Sequence, residues 1–448
     1  MAAASLAGLI AGSLAIVAMA AERPSFLTPT SAPGFFPAWM AGPLRGLWPS
    51  LTRDHDALAW QASALMGAMF LLYLLAFACA GRLRAHWVIA AVLAIHAIFL
   101  LSPPLSYTDV FNYISYGRMG VVHHLDPYVT VPQLEPHSDP SFALSNWHHL
   151  LSPYGPLFTL LTEALVPLGV VASFWALKLL VGLASLVTLA LVWRCAVMLG
   201  RAPAPAVVFV GCNPIFLVWG LGADHNDSLM LCALMLCVYL LMCAPARSRG
   251  AGAWFACACF VKASAVILAP ILLLAGRPRR FLRGALEAGA ALGLASLIAF
   301  GPHVPGLATQ DSLVTGIGLP NLLGLALGLG GETGGLHTAI TALVAMVAVA
   351  CAVWMRRRPQ RWPAACGLAL MVLIASLSWA APWYLVWALP FAALSSGPRL
   401  RLATVLLGTY FLLAFVPAAP MLAQAIHLNP EATRLGHRHR REIEELVR

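Results

Sequence analysis

Apolar stretches long enough to cross a bilayer recur along nearly the whole chain, near residues 1–21, 58–80, 86–102, 173–199, 204–222, 227–243, 251–275, 282–301, 336–355, 363–380, 383–396 and 400–424. A helix needs about 17–25 apolar residues for such a crossing. These segments are rich in Leu and Ala and lack the short alternating pattern of barrel strands, so helix is the expected form. Only 10% of the 448 residues are charged and 60% are hydrophobic, whereas a soluble domain carries about 25% charged residues. The sequence predicts an all-α, polytopic transmembrane bundle of about 12–14 spans, with residues 1–448 forming a single integral membrane domain in the lipid bilayer.

The formal charge of +10 would suit a nucleic-acid partner, but its placement argues against one. Basic residues fall in short clusters between spans: Arg82/Arg84, Arg194/Arg201, Arg247/Arg249, Arg277 to Arg283, Arg356 to Arg361 and Arg399/Arg401. The loop over 103–172 holds only Arg118, and 302–335 holds no Lys or Arg. That asymmetry follows the positive-inside rule and assigns 103–172, 222–226, 302–335 and 379–383 to the exterior face. Only one crossing then fits between 103–172 and Arg194, so the helix after Tyr154-Gly155-Pro156 is expected to lie along the surface or only partly inserted. The clusters at Arg247 and Arg277 share the inner side, so 251–275 is expected to be two short helices turning near Lys262. For the basic tail, 425–448, simple alternation gives the outside while its charge favours the inside.

The ten cysteines lie in or beside apolar spans, where they read as small packing residues and not as a disulfide framework. Cys257 and Cys259 have the wrong spacing for zinc. Ala18-Met19-Ala20 resembles a signal cleavage site, but the stretch before it lacks a basic start, so an uncleaved first helix is expected. Segment 22–57, with Phe35, Phe36, Pro37, Trp39 and Trp48, reads as an interfacial loop.

Polar chemistry concentrates in 106–157. Asp109 follows the end of an apolar helix and reads either as a helix N-cap or as a base that takes a proton from a sugar hydroxyl. No second acid stands two residues away, so a paired-carboxylate metal site is not expected there. Arg118 offers a planar fork for phosphate or an ion pair with Asp126. Trp147, His148 and His149 suit either a sugar or an interfacial anchor. Asp224-His225-Asn226-Asp227 puts four polar residues in a row beside the hydrocarbon, a costly arrangement unless they line a wet cavity. Lys262, one of two lysines, lies within an apolar run, where a cation faces a cavity or a partner; a lipid phosphate is the expected partner. Trp379 to Trp387 is an aromatic cluster, either an interfacial belt or a platform for a sugar or prenyl chain.

In order along the chain, Thr108-Asp-Val-Phe-Asn-Tyr113, Gly117-Arg118, Leu125-Asp-Pro-Tyr128, Pro153-Tyr-Gly-Pro-Leu-Phe158, Asn213-Pro214 with His225-Asn-Asp227, Lys262 and Pro382-Trp-Tyr-Leu-Val-Trp387 resemble the motifs of integral membrane glycosyltransferases of GT-C architecture. The resemblance is to the polyprenyl-phosphate-mannose-dependent α-mannosyltransferases of bacterial lipoglycan synthesis, and it covers roughly 86–395. It implies an acidic catalytic base in the first large exterior (periplasmic) loop, which maps onto Asp109. It also implies juxtamembrane helices in that loop, a polyprenyl-phosphate sugar donor and a glycan or glycolipid acceptor. On this reading Tyr113, Arg118, His124, Asp126, Tyr154, His225, Asn226, Asp227, Lys262, Trp383 and Tyr384 form the substrate-binding set. One displacement would invert the anomeric centre, with Lys262, Arg118 or His225 stabilising the departing phosphate. A monophosphate leaves less charge than a nucleotide diphosphate, so neither metal nor cofactor is expected. His124-Leu125 departs from the small turn common at that point. The alternative from another class is a transporter or flippase of lipid-linked sugars.

Overall fold

The computed structural model describes residues 1–21, 25–30, 32–36 and 54–448; Pro37, Trp39 and Trp48 of the expected interfacial loop lie outside that set. Among the described residues there is no strand, and the chain is an all-α polytopic membrane protein. The first half comprises α1 (Ala2–Ala21), α2 (His55–Cys79), α3 (Ala85–Leu100), α4 (Asp109–His123), α5 (Pro156–Leu165), α6 (Val170–Met198), α7 (Pro203–Gly211) and α8 (Asp227–Cys243). The second half continues with α9 (Ser248–Val261), α10 (Ala269–Ala275), α11 (Pro278–Phe300), α12 (Leu307–Ser312), α13 (Leu319–Ala326) and α14 (Gly334–Arg357). It ends with α15 (Trp362–Ser376), α16 (Leu389–Leu394), α17 (Pro398–Phe415), α18 (Ala419–Ala425) and α19 (Arg434–Val447).

Among the described residues six helices have the length and apolarity to cross a membrane: Ala2–Ala21, His55–Arg82, Val170–Met198, Pro278–Phe300, Gly334–Arg357 and Pro398–Phe415. Several further apolar runs expected as spans are shorter or interrupted. α3 has 16 residues, about 24 Å at 1.5 Å per residue, which is less than the ~30 Å hydrocarbon core. The run over 204–222 breaks at Asn213-Pro214, where proline cannot donate a backbone bond. The Asn213 side chain accepts from the backbone N–H groups of Ile215 and Phe216 instead, and the chain resumes as a π-helical turn, Phe216–Leu221. The run over 251–275 breaks at Lys262, whose backbone is extended (φ −153°) between α9 and a short 3-10 turn, Ala263–Leu268. This is the turn that the arginine clusters call for.

Leu286, Leu294 and Ile298 of α11 are 58–78% exposed, as are Leu71 of α2 and Met346 and Val349 of α14. Large apolar side chains facing outward in this number suit lipid, not water. Internally, α9 and α11 approach backbone to backbone. A Cβ on Gly252 would come within 2.0 Å of the Phe281 carbonyl, and one on Gly284 within 1.8 Å of that of Arg249. Small residues at such a crossing give membrane helices the close packing that holds them together where water supplies no driving force.

Candidate active site

α4 starts at Asp109, and Thr108, not Asp109, occupies the cap position. The aspartate therefore sits in the first turn, where the helix dipole favours a carboxylate, and its side chain is free of capping. It is 17% exposed and only loosely held: the Tyr154 hydroxyl lies 3.5 Å from Oδ1 and His225 Nε2 lies 3.6 Å from Oδ2.

His225 comes from the polar turn after the π-helical segment. Its Nδ1 is 2.6 Å from the Trp219 carbonyl. A carbonyl can only accept, so Nδ1 carries the hydrogen and Nε2 is the nitrogen turned toward Asp109. The ring stacks on Trp383 with centroids 3.7 Å apart. One residue earlier, Asp224 takes a left-handed backbone (φ 59°) and pairs with Lys178 at 3.4 Å, both 1% exposed. Lys178 Nζ also donates to Ser102 Oγ. This buried pair ties the turn to α6.

Lys262 Nζ donates to both oxygens of Asp227, at 2.8 and 2.9 Å, and Trp387 Nε1 donates to the same carboxylate. The ammonium also stands 4.9 Å from the Tyr384 ring, a cation–π distance. The Pro382–Trp387 motif, folded as a 3-10 turn, thus gives Trp383 to His225, Tyr384 to Lys262 and Trp387 to Asp227. The reason for the Tyr-Gly-Pro motif is steric. Gly155 donates its N–H to the Val261 carbonyl at 3.1 Å, and a Cβ there would lie 2.1 Å from the Phe260 carbonyl. Only glycine lets the loop of Tyr154 dock against the chain just before Lys262.

These parts line one cavity of about 730 Å³. From the expected set, Asp109, Tyr113, Tyr154, His225, Lys262, Trp383 and Tyr384 contribute to its wall. The remainder do not. Arg118 meets neither a phosphate site nor Asp126: it binds Asp139 with Nε and Nη2, at 2.9 and 2.8 Å, and His123 joins the same carboxylate at 2.8 Å. Burial alone would push the Asp139 carboxyl up, but its bonds to Arg118, Ser141 and His123 outweigh that and hold it well below the ordinary range. Beside it, burial and the Asp139 charge push Glu135 up to about 7. His124 is an exposed left-handed helix end (φ 54°). Asp126 accepts from the Tyr128 backbone and pairs with His303 at 2.6 Å. Asn226 and Asp227 are fully buried behind the wall.

Trp379, from the aromatic cluster expected as a belt or a platform, also lines the cavity, and residues not singled out from sequence complete it: Gln310, Asp311 and, from the basic tail, Ile443 and Val447. The tail lies on the face of loop 103–172, since the His149 N–H donates to the Leu446 carbonyl at 3.0 Å. A net positive charge could not have announced that position, but the apolar residues spaced along α19 give it one sticky face.

Fold and cavity together define an integral membrane enzyme with a carboxylate, an imidazole and a lysine in one pocket. Residues 9–276 match the family described as alpha-(1->6)-mannopyranosyltransferase, N-terminal domain, and the chain belongs to that family, a group of hexosyltransferases of the mannosyltransferase type. It is similar to alpha-(1->6)-mannopyranosyltransferase A of Mycobacterium tuberculosis, 29% identical over 364 residues that cover 72% of this chain and 68% of the relative. A second M. tuberculosis alpha-(1->6)-mannopyranosyltransferase is 26% identical over 390 residues, 68% of this chain and 65% of that protein. Alpha-(1->6)-mannopyranosyltransferase A of Corynebacterium glutamicum is 29% identical over 184 residues, 40% of this chain and 36% of its own length. No solved structure matches the chain. Family membership decides between the two classes of function in favour of the transferase over the transporter.

Proposed function

We propose that the protein moves mannose from a polyprenyl monophosphate to a hydroxyl of a glycan or glycolipid acceptor, with inversion, at the exterior face of the membrane. The observation that carries this reading is a single cavity lined by both Asp109 and Lys262. Asp109 takes the proton of the acceptor hydroxyl as that oxygen attacks the anomeric carbon. The bond from that carbon to the phosphate oxygen breaks, and the polyprenyl phosphate leaves with an added negative charge. Lys262 is the cationic group available to it, in a site where fixed charges act more strongly than in water. His225, whose Nδ1–H is taken by the Trp219 carbonyl, adds a donor at Nε2 only as an imidazolium. Asp227 holds Lys262 in place and keeps its charge from standing alone in the protein. A single displacement turns a β-linked donor into an α-linked product. The cationic clusters at Arg82, Arg279 and Arg357 support an exterior cavity through the positive-inside rule. The test is incubation of purified protein with polyprenyl-phosphate mannose and mannoside acceptors, with the product and its anomeric configuration identified. An α-linked product supports the reading, and release of a retained β-linkage or absence of transfer refutes it.

A further inference from the structure

Gln310, Asp311, Trp379, Ile443 and Val447 of the cavity wall lie beyond the family match, and together with Trp147 they form a corner whose chemistry nothing so far explains. Trp147 and Trp379 meet edge to face there, centroids 5.5 Å apart, and both rings line the cavity. This corner adjoins the proposed base. Asn146, next to Trp147, accepts at Oδ1 from Thr108 Oγ1 and from Asn112 Nδ2, so it abuts the start of α4 where Asp109 stands. Beyond the corner, Gln310 and Asp311 add an amide and a carboxylate to the lining. Asp311 is 71% exposed, far more than the 17% of Asp109, so the cavity opens outward from the base toward it. Its carboxylate is steadied by His337 Nε2 at 3.3 Å. Ile443 and Val447 of α19 close the remaining side.

Indole rings beside amide and carboxylate acceptors are the chemistry that recognises a sugar ring: C–H groups rest on an indole face and hydroxyls bond to the polar atoms. A volume of about 730 Å³ falls within the ~300–1,000 Å³ of sites that enclose a ligand of more than a few heavy atoms. We infer that the outer half of the cavity is a subsite for the terminal hexose units of the acceptor glycan, formed by Trp147, Trp379, Gln310 and Asp311 and roofed by the C-terminal helix through Ile443 and Val447. The inference rests on the transfer reading above and deepens it. The basic tail then has a part in choosing the acceptor, because its apolar face limits the room next to the base.

The test uses full-length protein, polyprenyl-phosphate mannose and α-(1→6)-linked mannosides of increasing length. In Trp379→Ala the acceptor KM should rise about tenfold or more, which corresponds to about 1.4 kcal/mol, and by a larger factor than kcat falls. Asp311→Asn, at an exposed position that does not threaten folding, should raise the acceptor KM severalfold. Val447→Trp, which thickens the roof, should favour shorter acceptors over longer ones. Direct binding of the same mannosides to Asp109→Asn protein, followed by saturation-transfer NMR, reads the subsite without turnover. Unchanged acceptor KM in Trp379→Ala and Asp311→Asn, or mannosides that do not bind Asp109→Asn, would overturn the subsite. Mannosides that bind, and lose binding with Trp379→Ala, while wild-type protein transfers nothing would uphold the subsite and refute the transferase reading alone.

Discussion

Replacing Lys262 by Met separates two jobs that the structure gives to one ammonium. Asp227 is 1% exposed and receives two of its hydrogen bonds from Lys262, with Trp387 Nε1 supplying another. Met fills much of the lysine volume but leaves a buried carboxylate with a single neutral donor. Breaking a buried pair in this way costs about 3–5 kcal/mol, because the remaining charge stays desolvated. Lys262→Met should therefore lower the melting temperature in detergent, and most of that loss should return in Lys262→Met/Asp227→Asn, where no charge is left behind. Donor binding should follow a different course: if the ammonium meets the phosphate, both variants bind polyprenyl-phosphate mannose more weakly than wild type, and the restored stability does not restore affinity. Lys262→Arg should be only partly tolerated, since a planar fork meets Asp227 and phosphate at other angles than a point charge does. The measurement is a thermal melt and a donor titration on wild type, Lys262→Met, Lys262→Met/Asp227→Asn and Lys262→Arg. Equal melting temperatures for the single and double variants would refute the buried-pair argument, and normal donor affinity in the double variant would remove Lys262 from the phosphate site.

The network around Asp139 gives further outcomes. Arg118→Ala should destabilise the protein by about 3–5 kcal/mol, since Asp139 is 1% exposed, while donor affinity stays near wild type; a weakened donor affinity at unchanged stability would revive a phosphate role for Arg118. Glu135 has its folded value raised to about 7, so its contribution is fully present below the ordinary carboxyl range near pH 4.5 and is lost as pH rises through 7. Melting curves of Glu135→Gln should accordingly fall less between pH 5 and 7.5 than those of wild type, and parallel curves would contradict the assignment. Gly155→Ala places a methyl group against the Phe260 carbonyl; overpacking of this kind costs about 1–3 kcal/mol or more, and the displaced loop should cost transfer as well as stability, both read on purified protein.

What was legible in the sequence was local or topological. The break at Lys262 could be reached by counting arginine clusters, because a membrane forbids two inner-side loops on opposite ends of one span. The helix after Tyr154-Gly155-Pro156 is α5, ten residues long and too short to cross. Asp109, His225 and Lys262 stood out because polar groups next to hydrocarbon need a reason. The partners did not stand out. Arg118 meets Asp139, 21 residues on, because a loop folds back over α4, and no periodicity marks that return. Lys178 and Asp224 lie 46 residues apart, and the pairing requires both the α6 position and the π-helical turn. Asp227 looked like a group facing substrate, yet a carboxylate that neutralises a lysine has the same residue signature until distances are known. The tail was read by its charge, whereas its place on the cavity follows from apolar residues meeting loops more than 100 residues away.

The central claim is that Asp109 removes the acceptor proton, and the direct measurement is transfer by purified Asp109→Asn beside its donor affinity. Asparagine keeps the shape of the side chain and its contact with Tyr154 but cannot take up the proton. General-base contributions run to about 10²–10⁴-fold, so transfer should fall at least about a hundredfold while polyprenyl-phosphate mannose still binds. Near-normal transfer by Asp109→Asn would contradict the account.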